Sequence, residues 1–289
     1  MGPGVIAIVV AVAALALAAE WFARAGRLAD YPLFRRSEAV GYHFLPGAQG
    51  TMRGRYRWRI NAMGLRSDCD RAPGPDSIVL LGDSTVEDGV YTDQRETLAA
   101  RLAEATGRDV HPVACPAWSL ENMFAFLRAN PALLGAGTVV FVTNSQDLAA
   151  LNRWETESAQ PTRRPVSHAC YALMRATHLV RRKAFPFLFP PWADEADRTW
   201  ERSLEQFLAG YRGRVVWAFY PLPFELERGE TPCAELRPLL AGRAETFDIA
   251  AVPGWSLACY ADEVHPNRAG RRLLLDALLA ALRQPGGTA

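Results

Sequence analysis

The chain opens on one long apolar stretch and then changes character. Gly4 to Ala19 is uninterrupted by any polar side chain, and Glu20 ends the run before Trp21, Phe22, Arg24 and Arg27. With its flanking aromatics the stretch approaches the roughly 20 residues a membrane-spanning helix needs. Two other readings compete with a span. One is a buried core helix. The other is a cleaved signal peptide, for which Ala16-Leu17-Ala18 supplies a small-x-small site, although no basic residue precedes the apolar run. Residues 20–40 read as a polar connector. Residues 41–66 carry Gly and Pro punctuation and a short alternating run, Tyr56 to Ile60, which predicts a small β-element. Residues 67–77 form a Pro/Gly/Asp-rich linker.

From residue 77 onward, short apolar runs alternate with helical periodicity. Strands are expected at Ser77–Leu81, Val110–Cys115, Thr138–Thr143, Arg214–Tyr220 and Phe247–Val252. Helices are expected at Glu96–Ala105, Leu120–Arg128, His168–Lys183 and Glu195–Leu208. A short helix is expected at Cys233–Ala241, and Arg268–Leu282 forms a terminal helix that turns Leu273, Leu274, Leu278 and Leu282 inward. Strands and helices alternating at this spacing predict a parallel sheet covered on both faces. The division that follows is an expected membrane anchor over 1–27, a connector with a small β-element over 28–76, and an α/β domain over 77–289. That domain holds an insertion at 149–194, whose apolar segment Phe185–Trp192 either packs on the core, lines an acyl pocket or touches the membrane surface.

Composition narrows the chemistry. Of 289 residues, 49% are hydrophobic and 22% charged, and the net charge is +1, so no field argues for nucleic acid. The basic residues are nearly all Arg, a bias that genome composition explains. Five Cys (Cys69, Cys115, Cys170, Cys233, Cys259) include no Cys-x-x-Cys pair, which argues against structural zinc. The odd number leaves at least one thiol free, and one or two disulfides are compatible with export.

Two loops hold candidate catalytic residues. The first strand runs into Gly82-Asp83-Ser84, which sets a hydroxyl just past the carboxyl end of a parallel strand, where ligands bind in such sheets. Ser is a poor nucleophile until a base takes its proton. The second loop, Asp262-Glu263-Val264-His265-Pro266-Asn267, lies between the last strand and the last helix. It returns His265 to the same sheet edge, with Asp262 three residues back to fix the imidazole tautomer. His43, His111, His168 and His178 have no such partner and read as structural or surface residues.

Gly-Asp-Ser at 82–84 and Asp-x-x-His at 262–265 together resemble the first and last blocks of the SGNH (GDSL-type) hydrolase superfamily, over roughly residues 77 to 283. The resemblance implies an α/β protein with a flavodoxin-like three-layer α/β/α sandwich and a parallel sheet. It implies a Ser84-His265-Asp262 triad, with Asp83 organising the nucleophile turn, and neither metal nor cofactor. It also implies an oxyanion hole built from the Ser84 N–H, a Gly N–H and an Asn amide. Here Ala114 takes the Gly position, and the third block, Thr143 to Leu148, offers either Asn144 or Gln146. The front of the chain resembles a membrane-anchored subset of the superfamily through Asn61-x-x-Gly64-x-Arg66. That subset is similar to enzymes acting on envelope glycans or lipids outside the membrane, whereas the Arg residues after the apolar segment taken alone favour a cytoplasmic domain.

The expected function is therefore a serine esterase, anchored through residues 4–22 with its catalytic domain extracytoplasmic (periplasmic). It would cleave an O-acyl or O-acetyl group from an envelope glycan or lipid. The alternatives are an O-acyltransferase using the same triad, or a catalytically weak envelope-assembly or binding protein.

Overall fold

The computed structural model describes residues 2–184 and 198–284. The chain begins with helix α1 (Pro3–Ala25), which is long and apolar enough to cross a membrane, and the apolar window within it is not buried against the rest of the protein. Two antiparallel hairpins follow: β1 (Phe34–Ser37) with β2 (Gly41–Phe44), and β3 (Gln49–Met52) with β4 (Tyr56–Arg59). The polar-connector reading of 20–40 is thus corrected. Its first residues continue α1, and Phe34–Ser37 is a strand whose outward Arg35 and Arg36 conceal it, while Phe34 is buried against Tyr42 and Phe44.

The α/β unit contains β5 (Ile78–Gly82), α2 (Ser84–Glu87), α3 (Leu98–Thr106), β6 (Val110–Ala114), α4 (Leu120–Ala129) and β7 (Thr138–Thr143). It continues with α5 (His168–Ala184), α6 (Thr199–Gly210), β8 (Arg214–Phe219), α7 (Pro223–Arg228), α8 (Arg237–Leu240), β9 (Glu245–Asp248) and α9 (Arg268–Arg283). All five strands from β5 onward are parallel, in the order β6-β5-β7-β8-β9. That is the 2-1-3-4-5 order of a flavodoxin-like sheet, as expected, and its strand order reverses beside β5.

Alternation along the strands separates two cores. Val79, Leu81, Val139, Phe141 and Trp217 point to the layer of α4 and α6, where Phe141 stacks on Trp217 at 3.9 Å. Ile78, Leu80, Val140, Val142 and Val216 point to α3 and α9, against Leu98, Leu102, Leu274 and Leu278. Strands covered on both faces show continuous apolar runs, which is why they read clearly in the sequence. The hairpins add Tyr42, Phe44, Met52 and Trp58 to the α4-side core, so they pack into the α/β unit.

Helix ends follow capping chemistry. The Thr97 hydroxyl accepts from Ala100 N, so α3 starts later than expected, after a 3-10 turn at Gln94–Glu96. Ser119 and Asn122 form a reciprocal capping box on α4. The expected last strand at 247–252 is instead Glu245–Asp248. Ile249 begins a 3-10 turn and is buried, so its apolar character reflects core packing rather than strand continuation. The expected helix at 233–241 shrinks to Arg237–Leu240. Helix α6 begins at Thr199, with 195–197 outside the described residues, as is the apolar segment 185–192. A residue within α1 caps the start of α5: the Glu20 carboxylate accepts from Ser167 Oγ, His168 N and Ala169 N at 2.8–3.0 Å. All five thiols are free.

Candidate active site

Strand β5 must turn sharply into α2 to expose Ser84. Gly82 permits the turn, because a Cβ there would lie 2.3 Å from Val86 Cγ2. Asp83 then caps α2: its Oδ1 accepts from Thr85 N and Thr85 Oγ1, both at 2.8 Å. Ser84 becomes the first residue of that short helix. Its own N–H has no protein acceptor among the described residues, as befits a helix N-terminus.

The opposing loop is held just as firmly. Ala261 N donates to His265 O at 2.8 Å, and Tyr260 bridges Pro266. Asn267 caps α9 with its oxygen and donates through its amide nitrogen to Ala258 O and Tyr260 O. Tyr220 OH donates to Val264 O at 2.8 Å. These bonds bring His265 Nε2 to 2.8 Å from Ser84 Oγ, while its Nδ1 lies 2.9 Å from Asp262 Oδ2. Asp262 also accepts the Val264 and His265 amides at 2.9 and 2.8 Å. Partial burial alone would raise its pKa. The two amides and the His265 ring outweigh burial and hold the carboxyl below its usual value.

A cavity of about 160 Å³ lies over the pair, lined by Ser84, Thr85, Asp88, Gly89, His265, Pro266 and Arg271. Arg271 donates to Thr92 Oγ1 at 2.7 Å and sits 3.5 Å from the buried Asp88. Burial raises the Asp88 carboxyl to about 6, against the opposing Leu98 N–H.

Of the two amide candidates, Asn144 is buried at the end of β7. Its Nδ2 faces Asp83 Oδ2 at 3.4 Å, and its Oδ1 accepts Gln146 N. The Gln146 side chain is exposed. Ala114 ends β6 opposite Gly82, buried within the sheet and two register positions short of Ser84. Sequence reasoning missed Ala117 in the loop leaving β6. It holds a left-handed φ of 59°, and its N–H has no protein acceptor among the described residues. A non-glycine residue kept in that region marks a site the fold over-determines. The sequence carries no signal for it.

Also missed was the partner of the Asn-x-x-Gly-x-Arg segment. Asn61 Oδ1 accepts the Met63 and Leu65 amides, and Gly64 takes φ 80°, which delivers Arg66 into the protein. Arg66 is 3% exposed and donates to Glu87 Oε1, Glu87 O, Gly89 O and Thr92 O at 2.6–2.8 Å. Those acceptors lie on the turn that follows Ser84.

A parallel sheet of flavodoxin-like topology that brings Ser84, His265 and Asp262 into one hydrogen-bonded chain at the carboxyl ends of its strands defines the class of this α/β protein. No protein-family model matches the chain, and no curated protein matches it. Among solved structures it is similar to a lipase/acylhydrolase from Enterococcus faecalis, with 17% identity and TM-score 0.42 over 74% of this chain and 100% of that one. It is similar to an acetyl-xylooligosaccharide esterase from Geobacillus, with 12% identity and TM-score 0.46 over 75% and 98% of the two chains. A GDSL-like lipase from Bacteroides thetaiotaomicron aligns at 13% identity and TM-score 0.38 over 74% and 92%.

Proposed function

We propose that the protein is a membrane-anchored serine esterase that removes an O-acyl group from an envelope glycan or lipid. The observation that carries this reading is the continuous relay from Ser84 Oγ to His265 Nε2 and from His265 Nδ1 to Asp262, at 2.8 and 2.9 Å. His265 takes the Ser84 proton as Oγ attacks the ester carbonyl. Asp262 stabilises the imidazolium that forms. The tetrahedral oxyanion is held by the Ser84 N–H, with the Asn144 amide and the Ala117 N–H as its partners. Each such donor is worth about 100- to 1000-fold in rate. The protonated His265 then returns its proton to the leaving alcohol. Water, deprotonated by the same imidazole, releases the acid from the acyl-enzyme.

Helix α1 anchors the chain, and the resemblance to envelope-acting proteins favours an extracytoplasmic catalytic domain. Cys170 is exposed and reads the orientation. An impermeant maleimide reacting with Cys170 in intact spheroplasts supports it, and reaction only after lysis overturns it. The catalytic reading is tested with a fluorophosphonate probe. Wild-type protein is expected to label covalently and Ser84→Ala protein to remain unlabelled. Folded wild-type protein that fails to react, under conditions that label a known serine esterase, refutes the enzyme and favours an assembly or binding role.

A further inference from the structure

Beside the triad lies a larger cleft, of about 620 Å³, between the β3–β4 turn, the segment after Gly89 and the first turns of α9. Arg271 lines both this cleft and the cavity over Ser84, so the two adjoin. Five arginines line it against two carboxylates. Of these, Arg101 pairs with Glu96 and Glu104, Arg271 with Asp88 and Arg272 with Asp276. Arg55 and Arg268 are exposed and make no ion pair within 4 Å among the described residues. Arg268 also stands at the first position of α9, whose first turn holds no acidic residue. A helix dipole disfavours cations there, and Glu96 across the cleft, whose carboxyl Arg268 helps hold below its usual value, offsets only part of that charge. In a chain of net charge +1 this is a local concentration of positive charge, not a general property of the surface. Tyr56 and Tyr91 meet edge to face at 6.0 Å in the same cleft, with the Arg55 guanidinium over the Tyr56 ring and that of Arg53 over the Tyr91 ring.

We infer that this cleft is a subsite for an anionic glycan, one that carries repeated acidic groups and presents its acyl ester to Ser84. Arg55 and Arg268 pair with acid groups remote from the ester, and Arg271, which lines both cavities, with one next to it. Hydroxyl-lined or neutral clefts would serve an uncharged polysaccharide; unpaired guanidinium groups suit a charged one. The inference names the substrate class for the esterase proposed above, and it stands on the cleft rather than on the triad.

The test measures binding to the full chain in detergent by calorimetry, using a galacturonic acid hexamer, neutral cellohexaose and phosphatidylglycerol vesicles. The galacturonate hexamer is expected to bind at low salt and to weaken as salt rises. The double variant Arg55→Ala/Arg268→Ala is expected to weaken it about tenfold while melting at the wild-type temperature. Equal affinity for cellohexaose overturns the proposal, as does wild-type affinity in a folded double variant, or binding to the lipid vesicles alone. Fluorophosphonate reactivity separates the two claims. Labelled Ser84 without hexamer binding refutes the subsite alone, and hexamer binding without labelling refutes the esterase alone.

Discussion

Arg66→Leu is expected to destabilise the protein by about 3–5 kcal/mol, the usual cost of leaving one member of a buried ion pair without its partner. The Arg66 and Glu87 side chains are 2% and 1% exposed, 2.8 Å apart, so water screens neither. Burial raises the Glu87 pKa, with Arg66 the largest force opposing it. Removing Arg66 raises it further. The folded variant then holds a proton that the unfolded chain releases above its ordinary carboxylate pKa, about 4.3. A carboxyl raised in the folded state contributes stability at low pH that is lost as pH climbs toward the raised value. Within that window the loss runs at about 1.4 kcal/mol per pH unit. The penalty of the substitution should therefore be smaller at about pH 5 than at about pH 8. Denaturant unfolding of wild type, Arg66→Leu, Glu87→Leu and the double variant at both pH values measures it, and the cycle isolates the pair. The labelling rate of Ser84 should fall in the folded variant as well, because Gly89 O and Thr92 O lose their donor. A penalty below about 1 kcal/mol, or one equal at the two pH values, refutes the idea that Arg66 braces the nucleophile turn.

Two further outcomes follow from the same groups. Asp88, 1% exposed in its side chain and raised to about 6 by burial, contributes stability below the unfolded carboxylate value that disappears as pH passes through about 6. The shift of about two units from an unfolded value near 3.9 is worth on the order of 3 kcal/mol. Asp88→Asn tolerates the left-handed φ of 68° and should flatten the unfolding profile across that range; parallel profiles would show that Asp88 is not the titrating group. Asp262→Asn should lower turnover of p-nitrophenyl acetate by about 10³- to 10⁴-fold with the fold intact. A loss under about tenfold would mean that imidazole orientation does not depend on this carboxylate.

The parts of this protein legible in its sequence share a physical cause. Ile78–Gly82, Thr138–Thr143 and Arg214–Phe219 lie inside the sheet, covered on both faces, and leave unbroken apolar runs. Glu245–Asp248 is an edge strand of mixed polarity, and its neighbour Ile249 supplied a stronger but misplaced signal. Ser84, Asp262 and His265 were legible because loops at strand ends and a helix-entry Pro fix where side chains emerge. The oxyanion side was less so. Asn144 and Gln146 differ by one methylene in sequence, yet one is buried beside Asp83 and the other exposed. The Ala117 backbone angle leaves no trace in residue type. Arg66 and Glu87 are 21 positions apart, and no periodicity links a charged residue in the segment after β4 to a carboxylate buried in α2.

Hydrolysis and acyl transfer use the same three residues, and the openness of the site bears on which prevails. The His265 and Asp262 side chains are 44% and 56% exposed, and the cavity above Ser84 holds only about 160 Å³. Among the described residues nothing closes over them. An acyl-enzyme in that position is in contact with bulk water. A sugar hydroxyl competes only if it is held in attack geometry, where orientation supplies effective concentrations of about 10⁵ M or more. The cleft of Arg55 and Arg268 would give an acidic glycan purchase, but its anchoring points are exposed arginines. They fix a chain's charge more than the angle of one hydroxyl. Hydrolysis is therefore the expected fate. With p-nitrophenyl acetate as donor and the galacturonate hexamer as acceptor, mass spectrometry should find most acetyl as free acetate and little on the sugar. Transfer of the larger share to the hexamer would show that the acceptor is oriented far better than an exposed cleft suggests, and the protein would then be an acyltransferase.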